Sequence, residues 1–175
     1  MQDDLSVRDA TADDLPATAS IIATHAGGTV DEWHTRFAEV LADPARLFIV
    51  AEADGAVVGF GQARFVASRD SSGGSTAPGG WYLSGVTVAS GYRRRGVGRR
   101  LTEARLERLE GQVVYYAAAP ENAGTIALHE RLGFIPSGSV TLAGQHEALL
   151  LFRREPAMAD VRARGAAGVN RMISP

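Results

Sequence analysis

The stretch WYLSGVTVASGYRRRGVGRR, residues 81–100, decides the fold because a strand, a turn and a helix start follow one another in it. Residues 81–88 are apolar and have the length of a strand, and an amphipathic helix begins near Val97 or Gly98. The first turn of a helix leaves several N–H groups without intrahelical partners, and its aligned peptide dipoles add partial positive charge. This order of elements predicts an anion site at the start of the helix.

The turn between strand and helix has the composition of a diphosphate site. Gly96 and Gly98 have no side chains, so a ligand can approach the main chain closely. Arg93, Arg94 and Arg95 supply N–H donors that match phosphate oxygens. We therefore predict a pyrophosphate cradle here.

Other interpretations of the turn fit less well. A P-loop needs a lysine that this turn lacks, and the third glycine of a G-x-G-x-x-G fingerprint that starts at Gly96 would fall on Leu101. A solvated basic turn or a nucleic-acid patch is the simpler alternative. However, 18 basic and 20 acidic residues give a formal net charge of −2, whereas a general nucleic-acid binder is usually basic over a whole face.

Composition indicates one globular domain. The chain has 175 residues, of which 45% are hydrophobic and 22% charged, enough to bury a core. It has no cysteine, which excludes disulfides, cysteine-ligated zinc and a thiol nucleophile. The N-terminus lacks the apolar segment of a secretory signal, and no run reaches membrane-span length, so we expect a soluble cytoplasmic protein. We assign residues 1–155 to the domain and 156–175 to a loosely held tail.

The remaining segments predict a mixed sheet with helices packed on it. Asp54-Gly55 is typical of a tight hairpin turn, Gly85 indicates a bulge, and the Ser- and Gly-rich residues 68–80 predict a loop. The strands on either side of the third helix should be parallel neighbours joined by a right-handed crossover. The predicted order is β-α-α-β-β-β-α-β-α-β-β, with strands at 5–8, 47–53, 56–67, 81–88, 113–118, 134–141 and 147–153 and helices at 13–25, 31–42, 97–110 and 123–132.

A second informative segment is NAGTIALHERLGF, residues 122–134. Pro120 and Asn122 predict a helix stop and a helix cap, and Gly133 is a suitable helix end. This segment resembles the second signature of the GNAT superfamily of N-acetyltransferases, commonly N-x-x-A/S-x-x-L-Y-x-x-x-G-F. R-x-x-G-x-G at residues 93–98 resembles the acyl-CoA signature of the same superfamily. The resemblance covers roughly residues 5–153 and implies a single mixed α/β (α+β) domain with a splayed central parallel strand pair.

The resemblance further implies direct transfer of an acetyl group from acetyl-CoA, as cosubstrate, to an amine, without a covalent acyl-enzyme and without a metal. Main-chain amides of the turn would hold the CoA pyrophosphate, and the strand backbone near Val86 would pair with the pantetheine arm. Asn122 would fix the arm or the splayed strand. The predicted cofactor-binding residues are Val86, Thr87, Val88, Arg93, Arg94, Arg95, Gly96, Val97, Gly98, Arg99, Asn122 and Thr125.

Catalytic roles follow from the same resemblance. A strand N–H near Val86 would polarise the thioester carbonyl. His129 stands where the family often has a tyrosine that protonates the departing thiolate, and an imidazolium with an ordinary pKa of about 6.5 can donate that proton. Ile126 and Leu132 lie three residues to either side of His129, so a packed structural histidine is the alternative.

The general base is less defined, because many relatives use a glutamate on the central strand and residues 81–90 contain no carboxylate. Tyr82, Ser84 and Thr87 are candidates for a relay through water. The alternatives are Asp31, Glu32, His25, His34, Tyr115 and Tyr116.

We therefore predict an N-acetyltransferase for a primary amine of a small molecule or a polyamine or aminoglycoside-like acceptor. Asp31 and Glu32 would favour a cationic amine if they face the pocket, and otherwise they cap a helix; Trp33 and Phe37 form helix core or a substrate wall. The alternatives are acetylation of a protein N-terminus or lysine, and a CoA-binding sensor without turnover. We expect no nucleic-acid or membrane partner, and the resemblance allows a monomer or a homodimer.

Overall fold

The computed structural model describes residues 5–67, 77–141 and 147–156. Within these ranges the order of strands and helices is the predicted one. The strands are β1 (Ser6–Asp9), β2 (Arg46–Ala53), β3 (Ala56–Val66), β4 (Gly80–Val88), β5 (Val114–Ala118), β6 (Ile135–Val140) and β7 (Leu149–Arg154), and the helices are α1 (Leu15–Ala26), α2 (Val30–Ala42), α3 (Val97–Arg108) and α4 (Ala123–Arg131).

The strands form one sheet in the order β1-β2-β3-β4-β5-β7-β6. β4 and β5 run parallel, as predicted, and every other neighbouring pair is antiparallel. The parallel pairing extends only from Trp81 opposite Val114 to Leu83 opposite Tyr116. Beyond Leu83 the two strands separate while β4 continues to Val88, which confirms the predicted splay.

A β-bulge lies at the point where the strands separate. Gly61 of β3 is opposite Val86, and Ala63 is opposite Leu83, so two residues of β4, Ser84 and Gly85, face Gln62 alone. A bulge bends its strand and increases the local twist. The bulge predicted at Gly85 is therefore confirmed, and it coincides with the start of the splay.

Helices cover both faces of the sheet. On one face, Phe37 of α2 packs against Phe48 and Phe60 of β2 and β3. On the other face, Val97 and Leu101 of α3 join the β2 and β3 side chains in a second buried cluster, and α4 packs further along the same face. Since successive strand residues point to opposite faces, each central strand supplies side chains to both layers.

Helix α2 begins with a capping box that settles the interpretation of Glu32. The Thr29 hydroxyl accepts from the Glu32 N–H at 3.2 Å, and the Glu32 carboxylate accepts from the Thr29 N–H at 2.9 Å. These hydrogen bonds lower the pKa of Glu32. Phe37 belongs to the buried core cluster beneath the helix, and the partly buried Trp33 packs against that cluster, as their spacing predicted.

Two predicted helix starts differ from the structure. Asn122 occupies the N-cap position of α4, but its side chain makes no capping hydrogen bond. Helix α1, predicted to begin at residue 13, begins at Leu15, because residues 12–14 form a 3-10 turn in which the Asp14 carboxylate accepts from the Thr11 N–H at 2.8 Å.

Several predictions fall wholly or partly outside the described residues. They concern positions 68–76 of the predicted loop, the loop at 142–146 and positions 157–175 of the predicted tail. Gly80, placed in that first loop from the sequence, is the first residue of β4. In residues 5–67, 77–141 and 147–156, no helix has both the length and the hydrophobicity needed to cross a membrane.

Candidate active site

A cleft of about 830 Å³ opens where β4 and β5 separate. Side chains from both faces of the sheet line the cleft. They can do so because the sheet is open where β4 and β5 no longer pair. The side chains that line it on the α3 and α4 face are Thr102, Arg105, Tyr116, Thr125, Leu128 and His129, and those on the α1 and α2 face are Arg46, Gln62, Arg64, Tyr82, Ser84 and Thr87.

The N-terminus of α3 forms one end of the cleft. Gly96 is the N-cap residue with a left-handed φ of 84°, and no side chain caps the helix or places a carboxylate in its first turn. Arg94 also has a positive φ, of 59°, so the turn reverses sharply before the helix. The N–H groups of the first helical turn, which no intrahelical acceptor can use, are thus available to an anion.

Gly96 and Gly98 are glycines for different reasons. At Gly96 the left-handed φ disfavours any side chain, although a Cβ there would have open space around it. At Gly98 a Cβ would meet only Val86 Cγ1, at an ordinary contact distance of 3.8 Å. The protein itself therefore tolerates a small side chain at Gly98, which lines the cleft.

The backbone of β4 presents polar groups to the gap. The Ala89 N–H donates to Val58 O at 2.9 Å, towards β3. Because successive strand residues direct their backbone groups to opposite sides, Val88 and Val86 direct theirs away from β3, towards the position that β5 has left. The N–H of Val86 is therefore placed to act on a group lying in the gap.

Arg93 is held by groups of the protein itself. Its Nε donates to Val88 O at 3.1 Å, and its Nη2 lies 3.1 Å from His25 Nδ1. The side chain thus links the end of β4 to the end of α1. Arg99, in the first turn of α3, pairs with Glu103 at 2.8 Å on the exposed side of the helix.

His129 is buried against Tyr116, with 3% of its surface exposed. Its Nδ1 lies 2.8 Å from Thr125 O, and since a carbonyl can only accept, Nδ1 carries the proton. The Nε2 atom is buried and has no hydrogen-bond partner within the part of the chain that the structure describes. Burial lowers the pKa of His129, with the nearby Arg105 charge adding to the effect against the Thr125 hydrogen bond. The imidazole is therefore neutral at pH 7.

Arg105 also lines the cleft, although it is not among the predicted site residues. It has 1% of its surface exposed, and its Nη1 donates to Gln62 O at 2.6 Å and to Ser84 O at 2.7 Å. One guanidinium thus joins the carbonyls on both strands of the bulge. Burial lowers its pKa to about 10, so it remains charged at neutral pH. The available signal was its position four residues after Leu101, within the apolar stripe of α3.

The three predicted relay residues all line the cleft, but they differ in burial and in whether the hydroxyl already has a hydrogen-bond partner. Ser84 and Thr87 line it, Thr87 being largely buried. The Tyr82 hydroxyl already donates to Pro78 O at 2.9 Å, and burial raises the pKa of Tyr82 to about 12.

The predicted alternatives divide into two groups. His25, Tyr116 and the predicted cofactor residues Asn122 and Thr125 line the cleft. The residues that lie outside its lining are Asp31, Glu32, His34 and Tyr115.

Comparison with known proteins identifies the family of the chain. Residues 9–134 match the family model of the acetyltransferase (GNAT) family. The chain is 31% identical over 106 residues to the N-alpha-acetyltransferase RimI of Mycobacterium tuberculosis, covering 59% of this chain and 62% of that protein, which is less than two thirds of its length. It is 29% identical over 153 residues to the L-methionine sulfoximine/L-methionine sulfone acetyltransferase of Pseudomonas aeruginosa, covering 80% of this chain and 86% of that protein.

A solved structure with the same fold carries the expected cosubstrate. The yncA protein of Salmonella typhimurium, determined with its cofactor acetyl-CoA, matches with a TM-score of 0.61 and 21% identity over 88% of this chain and 95% of that chain. At this identity the likeness concerns the fold.

Proposed function

Because the chain belongs to the acetyltransferase (GNAT) family, we propose that it transfers the acetyl group of acetyl-CoA directly to the primary amine of a small molecule. The observation that carries the proposal is the single cleft that joins the start of α3 to the gap between β4 and β5. One molecule can thus place a diphosphate at the helix and a thioester beside the strand.

The described residues fit such a molecule. The uncapped first turn of α3, from Val97 to Arg99, would hold the diphosphate through main-chain N–H groups. Gly98 leaves room for it, since among the described residues a Cβ there would meet Val86 Cγ1 alone, at 3.8 Å. The outward carbonyl of Val86 would accept a hydrogen bond from the pantetheine arm, while Arg93 already occupies the Val88 carbonyl.

In this proposal the acetyl thioester supplies an activated acyl group. The amine nitrogen forms a C–N bond with the acetyl carbon, and the C–S bond breaks with its electron pair passing to sulfur. The Val86 N–H would stabilise the charge that develops on the carbonyl oxygen. One proton must leave the nitrogen and one must reach the thiolate, so the site needs a proton acceptor and a proton donor.

Two side chains are candidates for the proton donor. His129 occupies the position expected from the sequence, but it donates only when protonated, and burial disfavours that form. The phenol of Tyr116, which lies against it, is kept protonated because burial raises its pKa. Ser84 and Thr87 remain the proposed relay for the proton that leaves the amine.

The relatives support a small-molecule acceptor more than a protein acceptor. The Pseudomonas aeruginosa enzyme, which is named for an amino-acid analogue, matches over 80% of this chain, whereas the match with RimI covers 59%. A protein N-terminus is therefore the second candidate. A CoA-binding sensor is the third, because β4 carries no carboxylate to serve as base.

The test is a thiol-release assay with acetyl-CoA and pooled small amines, followed by mass spectrometry of the amines. We expect amine-dependent CoA release together with an amine heavier by one acetyl group. CoA release without an acetylated amine, or an acetylated peptide N-terminus with no acetylated small amine, would contradict the proposal.

A further inference from the structure

Two arginines face each other in the half of the cleft that lies towards α1 and α2. Arg46 of β2 and Arg64 of β3 are directly opposite in the strand register, and both line the cleft. Phe48 and Phe60, an even number of residues away on the same strands, pack against α2. The arginine pair therefore lies on that face of the sheet.

This half of the cleft carries two positive charges and, among the described lining residues, no acidic side chain. Like charges directly opposite each other across two strands are destabilising. Arg46 pairs with Asp43, which lies outside the cleft lining, with Nε and Oδ2 3.4 Å apart on the exposed side. Among the lining residues in the described part of the chain, four are arginines and none is Asp or Glu.

The other two arginines of the lining are already bound to the protein. Arg93 donates to the Val88 carbonyl, and Arg105 to the carbonyls of Gln62 and Ser84. They belong to the half of the cleft where CoA is proposed to bind. The group that binds the Arg46 and Arg64 pair must therefore belong to the acetyl acceptor rather than to CoA.

The pair lies close to the reaction centre. Arg64 is opposite Tyr82, which precedes Ser84 by two residues on β4. At about 3.4 Å per strand residue, this separation is roughly 7 Å along the strand. A group bound by the pair therefore belongs on a small molecule a few bonds away from the amine that reacts.

We propose that the acceptor is an amine that carries a free carboxylate, as in α-amino acids, and that Arg46 and Arg64 bind this carboxylate. The planar guanidinium fork matches a carboxylate in a bidentate arrangement. The bound anion also offsets the repulsion between the two arginines. This inference rests on the proposed acetyl transfer, and it disfavours the polyamine and aminoglycoside acceptors expected from the sequence.

The first experiment compares acceptors that differ only in the carboxylate. Rates of CoA release at saturating acetyl-CoA are measured for L-methionine, L-methioninamide and 3-(methylthio)propylamine, for the matching leucine series, and for spermidine and kanamycin. We expect kcat/KM to be at least about tenfold higher for the free amino acid than for its amide or its decarboxylated amine. Equal or better use of the amides, of the decarboxylated amines or of the polycations would overturn the proposal.

The second experiment uses Arg64→Gln, with Arg153→Gln as the matched control. Arg153 lies on β7, outside the cleft lining, and pairs with the exposed Glu155. We expect Arg64→Gln to raise KM for the amino acid and to bring the carboxylate preference towards one, and Arg153→Gln to retain both values. Because Arg64→Gln removes one of two facing like charges, its melting temperature should not fall, and Arg46→Gln provides the same test in a second variant. An unchanged preference in both variants would overturn the proposal.

The two proposals fail in different ways. Turnover of cationic small amines, but not of amino acids, overturns the carboxylate subsite and leaves the proposed acetyl transfer to a small molecule intact. Turnover of peptide N-termini alone overturns both the small-molecule acceptor and the subsite. Absence of CoA release with every amine overturns acetyl transfer itself, and the subsite with it.

Discussion

The imidazole ring of His129 lies face to face on the phenol ring of Tyr116, with ring centroids 3.6 Å apart and planes within 1° of parallel. This stack places two groups of opposite acid–base character side by side. Burial keeps the imidazole neutral and the phenol protonated, because it disfavours the charged form of each. The two candidates for proton donation can therefore be separated by substitution.

Tyr116→Phe tests the phenol as proton donor. The substitution keeps the ring that stacks on His129 and removes only the hydroxyl. If the phenol protonates the thiolate, kcat should fall by about 10²-fold or more, within the usual range for loss of a general acid, while the affinity for acetyl-CoA is retained. Steady-state kinetics with calorimetric titration of acetyl-CoA measure both, and an unchanged kcat would exclude the phenol.

His129→Gln tests the histidine and also has a pH signature. If protonated His129 is the donor, the rate should fall as pH rises through its lowered pKa, and the variant should lose both the rate and this dependence. If it only supports Tyr116, the pH profile of kcat should be the same in wild type and variant. The measurement is kcat between pH 5.5 and 8.5 for both proteins.

Burial of neutral His129 also predicts how stability depends on pH. Its folded-state pKa lies below the ordinary value of about 6.5, so the unfolded chain binds more protons than the folded one in that window. The contribution of this site is fully present above pH 6.5 and is lost as pH falls through the folded-state pKa. Thermal melts from pH 7.5 to 5.0 should show a smaller loss in His129→Gln than in wild type, and equal losses would contradict the assignment.

Arg105 should contribute to stability through the two carbonyls that it joins. Arg105→Met leaves the partly buried carbonyls of Gln62 and Ser84 without that donor, and the two together should cost about 1–3 kcal/mol. Arg99→Met, on the same helix, removes only an exposed pair with Glu103 and should change stability by at most about 1 kcal/mol. Urea unfolding of the two variants checks the difference, and equal losses would show that Arg105 does not hold the bulge.

Alanine at the two glycines of the turn should affect different properties, stability at Gly96 and acetyl-CoA affinity at Gly98. Gly96→Ala forces a side chain into left-handed backbone and should cost about 1–2 kcal/mol of stability. Gly98→Ala makes only an ordinary contact with Val86, so stability should be retained while acetyl-CoA binds more weakly. Thermal melts and calorimetric titration of the pair measure the two effects, and a stable Gly98→Ala with wild-type affinity would place the diphosphate elsewhere.

Local patterns predicted the elements of the fold well. The arginine- and glycine-rich turn, the Asp54-Gly55 hairpin and the spacing of Trp33 and Phe37 each act over a few residues, so one sequence contains the whole signal. The backbone confirms the hairpin, with φ of 51° at Asp54 and 75° at Gly55, as a tight primed turn requires.

Features that depend on strand register were not predictable in the same way. A two-residue hairpin at Asp54-Gly55 would place Arg46 opposite Ala63, but an irregularity near Ala51 and Glu52 shifts the register by one and places it opposite Arg64. Nothing local in the sequence marks that shift. The facing pair Arg46 and Arg64, on which the proposed carboxylate subsite rests, is therefore visible only in the structure.

The contacts of individual side chains were also not predictable from the sequence. Arg105 looked like any helix arginine, because its partners Gln62 and Ser84 are 43 and 21 residues away in the chain. Asn122 is a favoured cap residue, yet its side chain makes no capping hydrogen bond and the residue lines the cleft instead. Residue preferences predict where a helix starts, but they do not determine what the side chain contacts.

Calorimetric titration of acetyl-CoA into wild type and Gly98→Glu tests most directly whether CoA binds at the start of α3 beside the splayed strands. A glutamate in the first turn of a helix is favourable for the helix, so the variant should remain folded while its side chain and charge occupy the proposed diphosphate position. We expect saturable binding near one molecule per chain in wild type and its loss in Gly98→Glu. Absence of binding to wild type, or equal affinity in a folded Gly98→Glu variant, would contradict this placement of CoA.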